Sequence, residues 1–352
     1  MDQRSGNSVG RRLFHRLMGW ETGWWNDLKE GGRMSDMFSK KSLAVGVDIG
    51  GTHIKLGLIN EQGEVIDHYS VNLLRDETKI ADIALISQEV ANFIEKRNVR
   101  NQLAGVGVAC PGILDTTLGV VKFAVNLGWN ELPLVEMMQE RLKLPVRLEC
   151  DATAGAIGEW RYGAGMDQSG FLYVCLGTGV GASLVVDHHI YHGDLGPAIN
   201  IGHTSVIPDG KPCKCGNRGC LEKYVSASAI TDRVRMELDT ANTILSKWVQ
   251  SRALDSLLVY EAAQQGDLYS KEVFQEAGEL LGVSLVNCLQ LFGVGNIIIG
   301  GGFSQSGDLL LEATRKTVRA RFPSDDVMKV NIKQASFPTT AGMLGAAANI
   351  FQ

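Results

Sequence analysis

The chain has 352 residues, 45% hydrophobic and 21% charged, a composition typical of a globular protein of two domains. Its formal net charge of −5, from 34 basic and 39 acidic residues, does not favour nucleic acid or an anionic membrane as a partner. No apolar run approaches the roughly 20 residues of a membrane-spanning helix. The same balance leaves open a phosphorylated ligand, which needs only a local arrangement of hydrogen-bond donors.

Residues 1–41 differ in composition from the rest of the chain. Arginines alternate with apolar residues from Arg11 to Met18, and tryptophans follow. A secretory signal peptide needs a continuous apolar core and a small-residue cleavage site, and neither is visible. One interpretation is an amphipathic helix that docks on a surface. We favour the other, a dispensable extension with Met34 or Met37 as the natural beginning, and we find no helix-turn-helix pattern in it.

The first half of the chain predicts a mixed α/β domain. An apolar strand ends in two glycines, and the next two strands are joined by short turns, so we expect antiparallel pairing. Helices and buried strands then alternate. The predicted strands are Ser42–Ile49, Lys55–Ile59, Val65–Tyr69, Leu103–Ala109 and Val146–Glu149, and the predicted helices are Ile80–Lys96, Leu134–Leu142 and Asp151–Tyr162.

The second half repeats this order of elements. Strands Phe171–Leu176 and Ala182–Val186 flank a Gly-rich connection, and the C-terminal third reads as mainly helical except for the strand Asn296–Ile299. Strand, Gly-rich turn, strand, strand and helix therefore occur twice. Two such halves facing each other are what an actin-like ATPase fold requires.

We therefore predict an α/β protein of the actin-like ATPase (hexokinase-type) fold, with two domains around a central cleft. The small domain is expected over residues 42–150 and the large domain over residues 151–338, including a zinc loop over residues 203–220. A helix over residues 339–351 is expected to return to the small domain.

Three glycine-rich turns follow predicted strands. Backbone N–H groups in such turns can approach phosphate oxygens, and a threonine hydroxyl adds a donor. Two turns at equivalent places in the two halves suggest a phosphate chain held between the domains, and the third suits an adenosine end. The alternative is three ordinary tight turns. The predicted ATP-binding residues are Asp48, Gly50, Gly51, Thr52, Lys55, Gly177, Thr178, Gly179, Gly301 and Gly302, with Asp48 also a candidate magnesium ligand.

A metal-binding pattern lies between His203 and Cys220. It contains one histidine and the cysteines Cys213, Cys215 and Cys220, with two glycines between the last two. Three thiolates and one imidazole complete a tetrahedral structural zinc site and leave no position for a reactive water. Three unrelated cysteines, or a disulfide with a spare thiol, are the alternatives, and the spacing favours zinc.

The four other cysteines stand singly in apolar surroundings, as buried free thiols do. A reducing cytoplasm is the expected location. These residues are Cys110, Cys150, Cys175 and Cys288.

Asp151 follows a predicted strand and opens a predicted helix. It could serve only as the N-cap of that helix. Its position between the two repeats also places it at the cleft, where a carboxylate can accept the proton of an attacking hydroxyl.

From about Leu43 to Phe351 the chain resembles the ROK family of repressors, open reading frames and sugar kinases. The matching stretches are A-V-G-V-D-I-G-G-T-H-I-K, V-G-V-A-C-P-G, L-G-T-G-V-G-A, I-G-H with the cysteine cluster, and I-I-I-G-G-G. The resemblance implies a two-domain actin-like fold, ATP with magnesium, phosphorylation of a sugar hydroxyl (usually O6), and a homodimer. It also implies that Asp151 is the general base and that His203 binds zinc through one nitrogen and sugar through the other. The implied sugar-binding residues are Gly112, Asn126, Cys150, Asp151, Asn200, His203 and Glu222.

The chain departs from the family pattern at two places. Asn-Asp is usual where this chain has Cys150-Asp151, and Glu-x-Gly-His is usual where it has the stretch from Asn200 to His203; Thr153 also replaces a common asparagine. Cysteine is a poor hydrogen-bond partner for a sugar hydroxyl, and Asn200 loses a charge-assisted contact. We therefore expect a substrate other than plain glucose, such as an amino sugar, an acylated amino sugar or a cyclitol.

Two other functions stay open. Part of the family regulates transcription, so the chain could be a sugar sensor in which Cys150 and Asn200 have ended turnover. The retained Asp151, the glycine turns and the missing DNA-binding pattern speak against that. An ordinary glucokinase in which both substitutions are tolerated is the second alternative.

Overall fold

The computed structural model describes residues 41–193, 199–322 and 329–352. The predicted N-terminal extension, apart from its last residue, lies outside the described residues. The chain from Ser42 to Gln352 folds as one unit.

The first sheet has five strands in the order β3-β2-β1-β4-β8. β1 pairs antiparallel with β2, whereas β1, β4 and β8 run parallel to one another. Because parallel strands end at the same edge, Asp48, Cys110 and Cys150 come together there. The strands are β1 (Leu43–Ile49), β2 (His53–Asn60), β3 (Val65–Asn72), β4 (Leu103–Cys110) and β8 (Val146–Cys150).

The second sheet has the order β11-β10-β9-β12-β13, in which each strand takes the place of its counterpart in the first sheet. This repetition confirms the predicted pair of similar halves and the actin-like fold. The strand β13 was not predicted, because its sequence N-I-K-Q has a single buried apolar residue and it lies at the sheet edge. The strands are β9 (Phe171–Leu176), β10 (Val180–Val186), β11 (His189–Ile190), β12 (Asn296–Gly300) and β13 (Asn331–Gln334).

A small antiparallel sheet lies between β4 and the next helix and was also not predicted. Its strands are short and bounded by glycines, so their alternation of apolar and polar residues is brief. They are β5 (Ile113–Asp115), β6 (Val120–Ala124) and β7 (Trp129–Leu132).

Helices cover both sheets and link them. The helix predicted from Ile80 begins at Ile83, because the Asp82 side chain accepts hydrogen bonds from the Ala84 and Leu85 N–H groups and caps it there. The helices are α1 (Ile83–Arg97), α2 (Leu134–Leu142), α3 (Asp151–Tyr162), α4 (Glu222–Val225), α5 (Ala227–Glu237), α6 (Leu245–Trp248), α7 (Ser256–Gln264), α8 (Leu268–Phe292), α9 (Asp308–Arg321) and α10 (Ala341–Ala348).

The helices α3 and α10 pack against each other through small residues. A Cβ at Gly345 would lie 1.7 Å from the Ala154 carbonyl oxygen, so only glycine permits this approach. On its other side α10 presses on the first sheet, where a Cβ at Gly107 would lie 1.7 Å from the Ala346 carbonyl oxygen. The C-terminal helix thus packs on the first sheet, and its last turn, from Asn349 to Phe351, is a 3-10 helix.

A buried carboxylate, Glu159, fastens the end of α3 to the segment that leads into α10. It accepts hydrogen bonds from the N–H groups of Ala164 (2.9 Å), Ser336 (2.9 Å) and Phe337 (2.7 Å). Burial of a charge is tolerated when several donors satisfy it. Glu159 thus stabilises the connection between the two helices.

Within the described ranges, no helix is both long enough and apolar enough to cross a lipid bilayer.

Candidate active site

Asp48 lies at the end of β1, directly opposite Lys55 on β2. The Lys55 Nζ is 3.8 Å from Asp48 Oδ2 and donates a 2.6 Å hydrogen bond to the Thr339 carbonyl oxygen. Burial raises the pKa of Asp48 to about 6, Lys55 partly offsets this rise, and the charge of Asp151 adds to it. The two carboxylates are therefore close enough to repel each other, and a cation between them would relieve that repulsion. Carboxylate oxygens are the ligands that magnesium prefers, so the residues fit the predicted metal.

The first phosphate loop, Gly50 to Thr52, has free donors. The Gly50 N–H binds the His53 carbonyl oxygen at 2.8 Å and so closes the turn. In the part of the chain that the structure describes, the next two N–H groups, of Gly51 and Thr52, donate to no protein group. Free N–H groups on consecutive residues are suited to bind an anion.

The second phosphate loop, Gly177 to Val180, repeats this arrangement on the other sheet. The Gly177 N–H binds the Gly179 carbonyl oxygen at 2.9 Å, and the N–H groups of Thr178 and Gly179 have no acceptor among the described residues. The two loops thus present equivalent pairs of donors at equivalent strand ends.

The third glycine turn follows β12 and touches the start of the second phosphate loop. Gly301 has φ +85°, and a Cβ there would lie 2.1 Å from the Leu176 carbonyl oxygen. The turn is therefore confined to glycine for both conformational and steric reasons. It brings Gly301 and Gly302, which are predicted to bind the adenosine of ATP, next to the loop that is predicted to bind its phosphates.

Asp151 is the first residue of α3, and Cys150, not Asp151, occupies the N-cap position. The Asp151 Oδ1 accepts hydrogen bonds from the Ala152 N–H at 2.7 Å and from the Cys150 Sγ at 3.4 Å. Burial raises the pKa of Asp151, and these hydrogen bonds partly offset the rise. Because its pKa is raised, Asp151 is a better proton acceptor than an ordinary solvent-exposed aspartate.

On the side of the first sheet, the predicted sugar-binding residue Asn126 lies beside the first phosphate loop. A Cβ at Gly51 would be 3.8 Å from the Asn126 Cβ. Gly112 has φ +122°, and a Cβ there would be 2.4 Å from the Phe123 carbonyl oxygen. Asn126 thus lies in the turn between β6 and β7, and Gly112, which precedes β5, packs on the end of β6.

On the side of the second sheet, the short 3-10 helix Ile201–His203 packs on β10, where a Cβ at Gly202 would be 2.2 Å from the Val180 carbonyl oxygen. Asn200 precedes this helix and is exposed. The Glu222 carboxylate, predicted to contact sugar, accepts the Val180 N–H at 3.0 Å. It therefore ties the zinc loop to the second phosphate loop.

The four predicted zinc ligands converge. The ligand atoms of His203, Cys213, Cys215 and Cys220 all lie within 4.8 Å of one another. The Cys215 and Cys220 sulfurs are 3.7 Å apart, as are the Cys213 sulfur and the His203 Nδ1. Tetrahedral coordination at a zinc–sulfur distance of about 2.3 Å requires sulfur separations of roughly 3.8 Å. The cluster fits structural zinc, with the His203 Nδ1 facing the cysteines.

The contacts of two residues at the site, Glu149 and Arg75, were not predicted from the sequence. The Glu149 carboxyl accepts the Cys150 N–H at 2.8 Å, and burial raises its pKa to about 7. The Arg75 guanidinium binds the backbone at Gly51 and Asn126. Neither residue lies in a motif, and the Arg75 contacts join segments far apart in the chain, so the sequence gives no signal for them.

Comparisons with known proteins find relatives that match most of the chain. A glucokinase from Halalkalibacterium halodurans is 33% identical over 310 residues, which is 86% of this chain and 92% of that protein. A xylose repressor from Caldicellulosiruptor bescii is 28% identical over 87% of this chain and 77% of its own length.

Among solved structures, a ROK family glucokinase from Streptomyces griseus in complex with glucose and AMPPNP superposes with a TM-score of 0.76 at 31% identity. The match covers 87% of this chain and 98% of that one. The sequence pattern of the ROK family matches residues 44–352, nearly the whole described unit. This chain belongs to the ROK family.

Proposed function

We propose that this protein is an ATP-dependent sugar kinase that phosphorylates a hydroxyl group, O6, of a hexose or hexose-like substrate. The observation that carries the proposal is the position of Asp151. This carboxylate has a raised pKa and lies near Asp48, at the strand edge that the two phosphate loops flank. The kinship with a glucokinase and with a glucokinase structure containing glucose and AMPPNP supports the same enzyme class.

In this proposal the free N–H groups of the two phosphate loops bind the phosphate chain of ATP from both sides. Asp48 would hold magnesium, which neutralises charge that develops on the phosphates. Asp151 takes the proton from the attacking sugar hydroxyl as the oxygen approaches the γ-phosphate. The donors are fixed by the strand ends before ATP arrives, so little reorganisation is needed during the reaction.

Zinc would be held by His203 and the three cysteines, and it would supply folding free energy for the loop. Because the His203 Nδ1 faces the cysteines, its Nε2 is the nitrogen that we assign to the sugar. Gly112 and Asn126 would contact the sugar from the opposite side.

The substrate is proposed to be an amino sugar, an acylated amino sugar or a cyclitol, because Cys150 and Asn200 cannot pair with hydroxyls as asparagine and glutamate do. A cytoplasmic homodimer is part of the proposal. The seven free cysteines are compatible with a reducing compartment.

The alternative is a sugar-binding regulator, and the kinship with a xylose repressor is the observation that favours it. The glucokinase kinship likewise keeps an ordinary glucokinase open. The presence of Asp151 and of both phosphate loops favours a kinase over a regulator.

The experiment that separates these functions measures ADP release from ATP and magnesium. The panel contains glucose, glucosamine, N-acetylglucosamine, N-acetylmannosamine and myo-inositol. We expect turnover with a sugar other than glucose, and a loss of about 10²–10⁴-fold in turnover in Asp151→Asn. Sugar binding without ADP release would support the regulator, and Asp151→Asn with wild-type turnover would remove Asp151 from the mechanism.

A further inference from the structure

We name the turn from Val125 to Gly128, which contains the predicted sugar-binding residue Asn126, the sugar loop. A short segment, Leu73 to Ala81, runs between this loop and the first phosphate loop. We call it the Arg75 strap. Its start binds the phosphate loop, where the Leu73 N–H donates to the Thr52 carbonyl oxygen at 2.7 Å. Its end binds the sugar loop, where the Ala81 N–H donates to the Leu127 carbonyl oxygen at 2.9 Å. The strap therefore touches both binding elements of the first sheet.

The turn inside the strap is closed by Asp76. Its Oδ1 accepts the N–H groups of Thr78 at 2.8 Å and Ile80 at 3.0 Å. Arg75 and Ala81 form a β-bridge across the base of this turn. These contacts do not use the Arg75 side chain, whose guanidinium adds one further hydrogen bond within the strap, to the Lys79 carbonyl oxygen.

The Arg75 guanidinium points from the strap into the junction of the two loops. Its Nη2 donates to the Gly51 carbonyl oxygen at 3.1 Å and to the Asn126 carbonyl oxygen at 3.0 Å, and its Nη1 donates to the Lys79 carbonyl oxygen at 2.7 Å. One side chain thus links a residue that presents a free N–H to phosphate with a residue predicted to contact sugar.

The chemistry of these contacts is specific to arginine. All three acceptors are neutral carbonyl oxygens, and within the described ranges no carboxylate lies in ion-pair range of Arg75. Among the described residues, the positive charge therefore has no carboxylate partner beside the first phosphate loop. A guanidinium offers several donors in a fixed plane, whereas a lysine ammonium is a single point on a flexible stem.

We propose that Arg75 is a positioning residue that fixes the first phosphate loop against the sugar loop. By binding the Gly51 carbonyl oxygen, it holds the Gly51–Thr52 peptide group so that the Thr52 N–H faces the phosphates. By binding the Asn126 carbonyl oxygen, it fixes the position of Asn126 relative to this peptide group. Without it, the nucleotide and the sugar are both bound more weakly. The inference rests on the proposed kinase function, because it assigns nucleotide to the first phosphate loop.

The test uses Arg75→Met, which keeps the length of the side chain and removes the donors. Binding of AMPPNP with magnesium is measured by calorimetry, together with kcat and the KM values for ATP and for the best sugar of the panel. Loss of a charge-assisted contact predicts a roughly tenfold or larger fall in AMPPNP affinity and a rise in both KM values. Arg75→Lys keeps the charge and should recover only a part of the affinity.

The matched control is Arg97→Met in the same half of the protein. Arg97 pairs with Asp67 and lies 3.6 Å over the Phe93 ring, away from both loops. Its loss should lower the melting temperature and leave AMPPNP affinity unchanged. Arg75→Met with wild-type AMPPNP affinity and wild-type KM values would overturn the proposal.

Two further outcomes are informative. If Arg75→Met does not fold, Arg75→Lys is measured in its place. A folded Arg75→Lys with wild-type AMPPNP affinity and wild-type KM values would overturn the role assigned to the guanidinium. If wild-type protein binds no AMPPNP at all, the kinase function itself is wrong, which is distinguishable from failure at Arg75.

Discussion

Cys150 and Asn200 are the residues at which this chain's chemistry departs from the family pattern. The Cys150 thiol donates a weak 3.4 Å hydrogen bond to Asp151, and Asn200 is exposed at the start of a 3-10 helix. A thiol is a poor hydrogen-bond partner for a ring hydroxyl of glucose, and the neutral Asn200 lacks the charge-assisted contact that a glutamate would make. Asp151, the proposed general base, is unchanged, so we expect the departure to concern which substrate is recognised.

The double variant Cys150→Asn with Asn200→Glu tests this interpretation of specificity. It restores hydrogen-bonding groups typical of the family's glucose kinases, so glucose phosphorylation should rise while the native substrate loses efficiency. The measurement is kcat/KM for glucose and for the best sugar of the panel. A wild-type kcat/KM for glucose already near 10⁴–10⁸ M⁻¹s⁻¹, roughly the usual enzyme range, would make both residues tolerated variations in a glucokinase.

Glu149 predicts a pH dependence of stability. Its pKa is raised from 4.5 to about 7 by burial. The folded state therefore holds the proton more tightly than the unfolded state, and this contribution to stability is lost as pH rises from about 4.5 to 7. Glu149→Gln cannot ionise and can still accept the Cys150 N–H.

When the pH is raised from 5 to 8, the free energy of unfolding of wild type should therefore fall by about 2 kcal/mol more than that of Glu149→Gln. Urea denaturation at the two pH values measures this difference. Glu140→Gln, an exposed control on α2, should show no such change. If wild type and Glu149→Gln lose the same free energy of unfolding between the two pH values, the Glu149 carboxyl of the wild-type protein is solvated.

At the scale of elements, the zinc loop and the second phosphate loop form one connected structure. Cys220 is followed by the short helix α4, whose Glu222 accepts the Val180 N–H. The Ala227 N–H binds the Gly177 carbonyl oxygen at 2.9 Å, and the Ser228 hydroxyl binds that of Thr178. Damage to the zinc loop is therefore expected to reach the nucleotide site.

Purified protein should contain about one zinc per chain, because the four ligands close a tetrahedral site. Cys215→Ser should lose the metal, disorder the loop and raise the KM for ATP as well as for sugar, since the binding energy of structural zinc is folding energy. Metal analysis by mass spectrometry gives the stoichiometry. Cys288→Ser, in α8 and outside the ligand cluster, should retain zinc. A zinc-free wild-type protein with full activity would contradict the assignment.

At the scale of the whole molecule, two similar sheets are joined by the helices α3 and α10. The close packing of Gly345 on Ala154 and the three hydrogen bonds to Glu159 make this connection tight. We propose that both halves bind phosphate and that this central connection serves as the hinge about which they close over substrates.

We therefore expect sugar and AMPPNP together to reduce the radius of gyration more than AMPPNP alone, because closure excludes water from the cleft. Small-angle X-ray scattering measures the radius of gyration of the ligand-free protein, of its AMPPNP complex and of its complex with AMPPNP and sugar. The sugar is the best substrate of the panel. Identical scattering curves in all three states would argue for a rigid cleft.

The sequence by itself determined the features that depend on local spacing. The strand-glycine turns, the helix α3 from Asp151 to Tyr162 and the four candidate metal ligands were all predicted. Apolar runs, glycine positions and metal-ligand spacing are encoded in neighbouring residues. The repeated order of elements was sufficient to predict the actin-like fold.

Only the tertiary structure decided which distant groups meet. Lys55 reaches the Thr339 carbonyl oxygen, Glu222 reaches Val180, and Arg75 joins Gly51 to Asn126. Each contact uses a backbone carbonyl or N–H group, which every residue carries, so no residue type marks the partner in the sequence. The polar edge strand β13 was missed for a related reason, since its place is set by pairing with β12 rather than by its own apolar pattern.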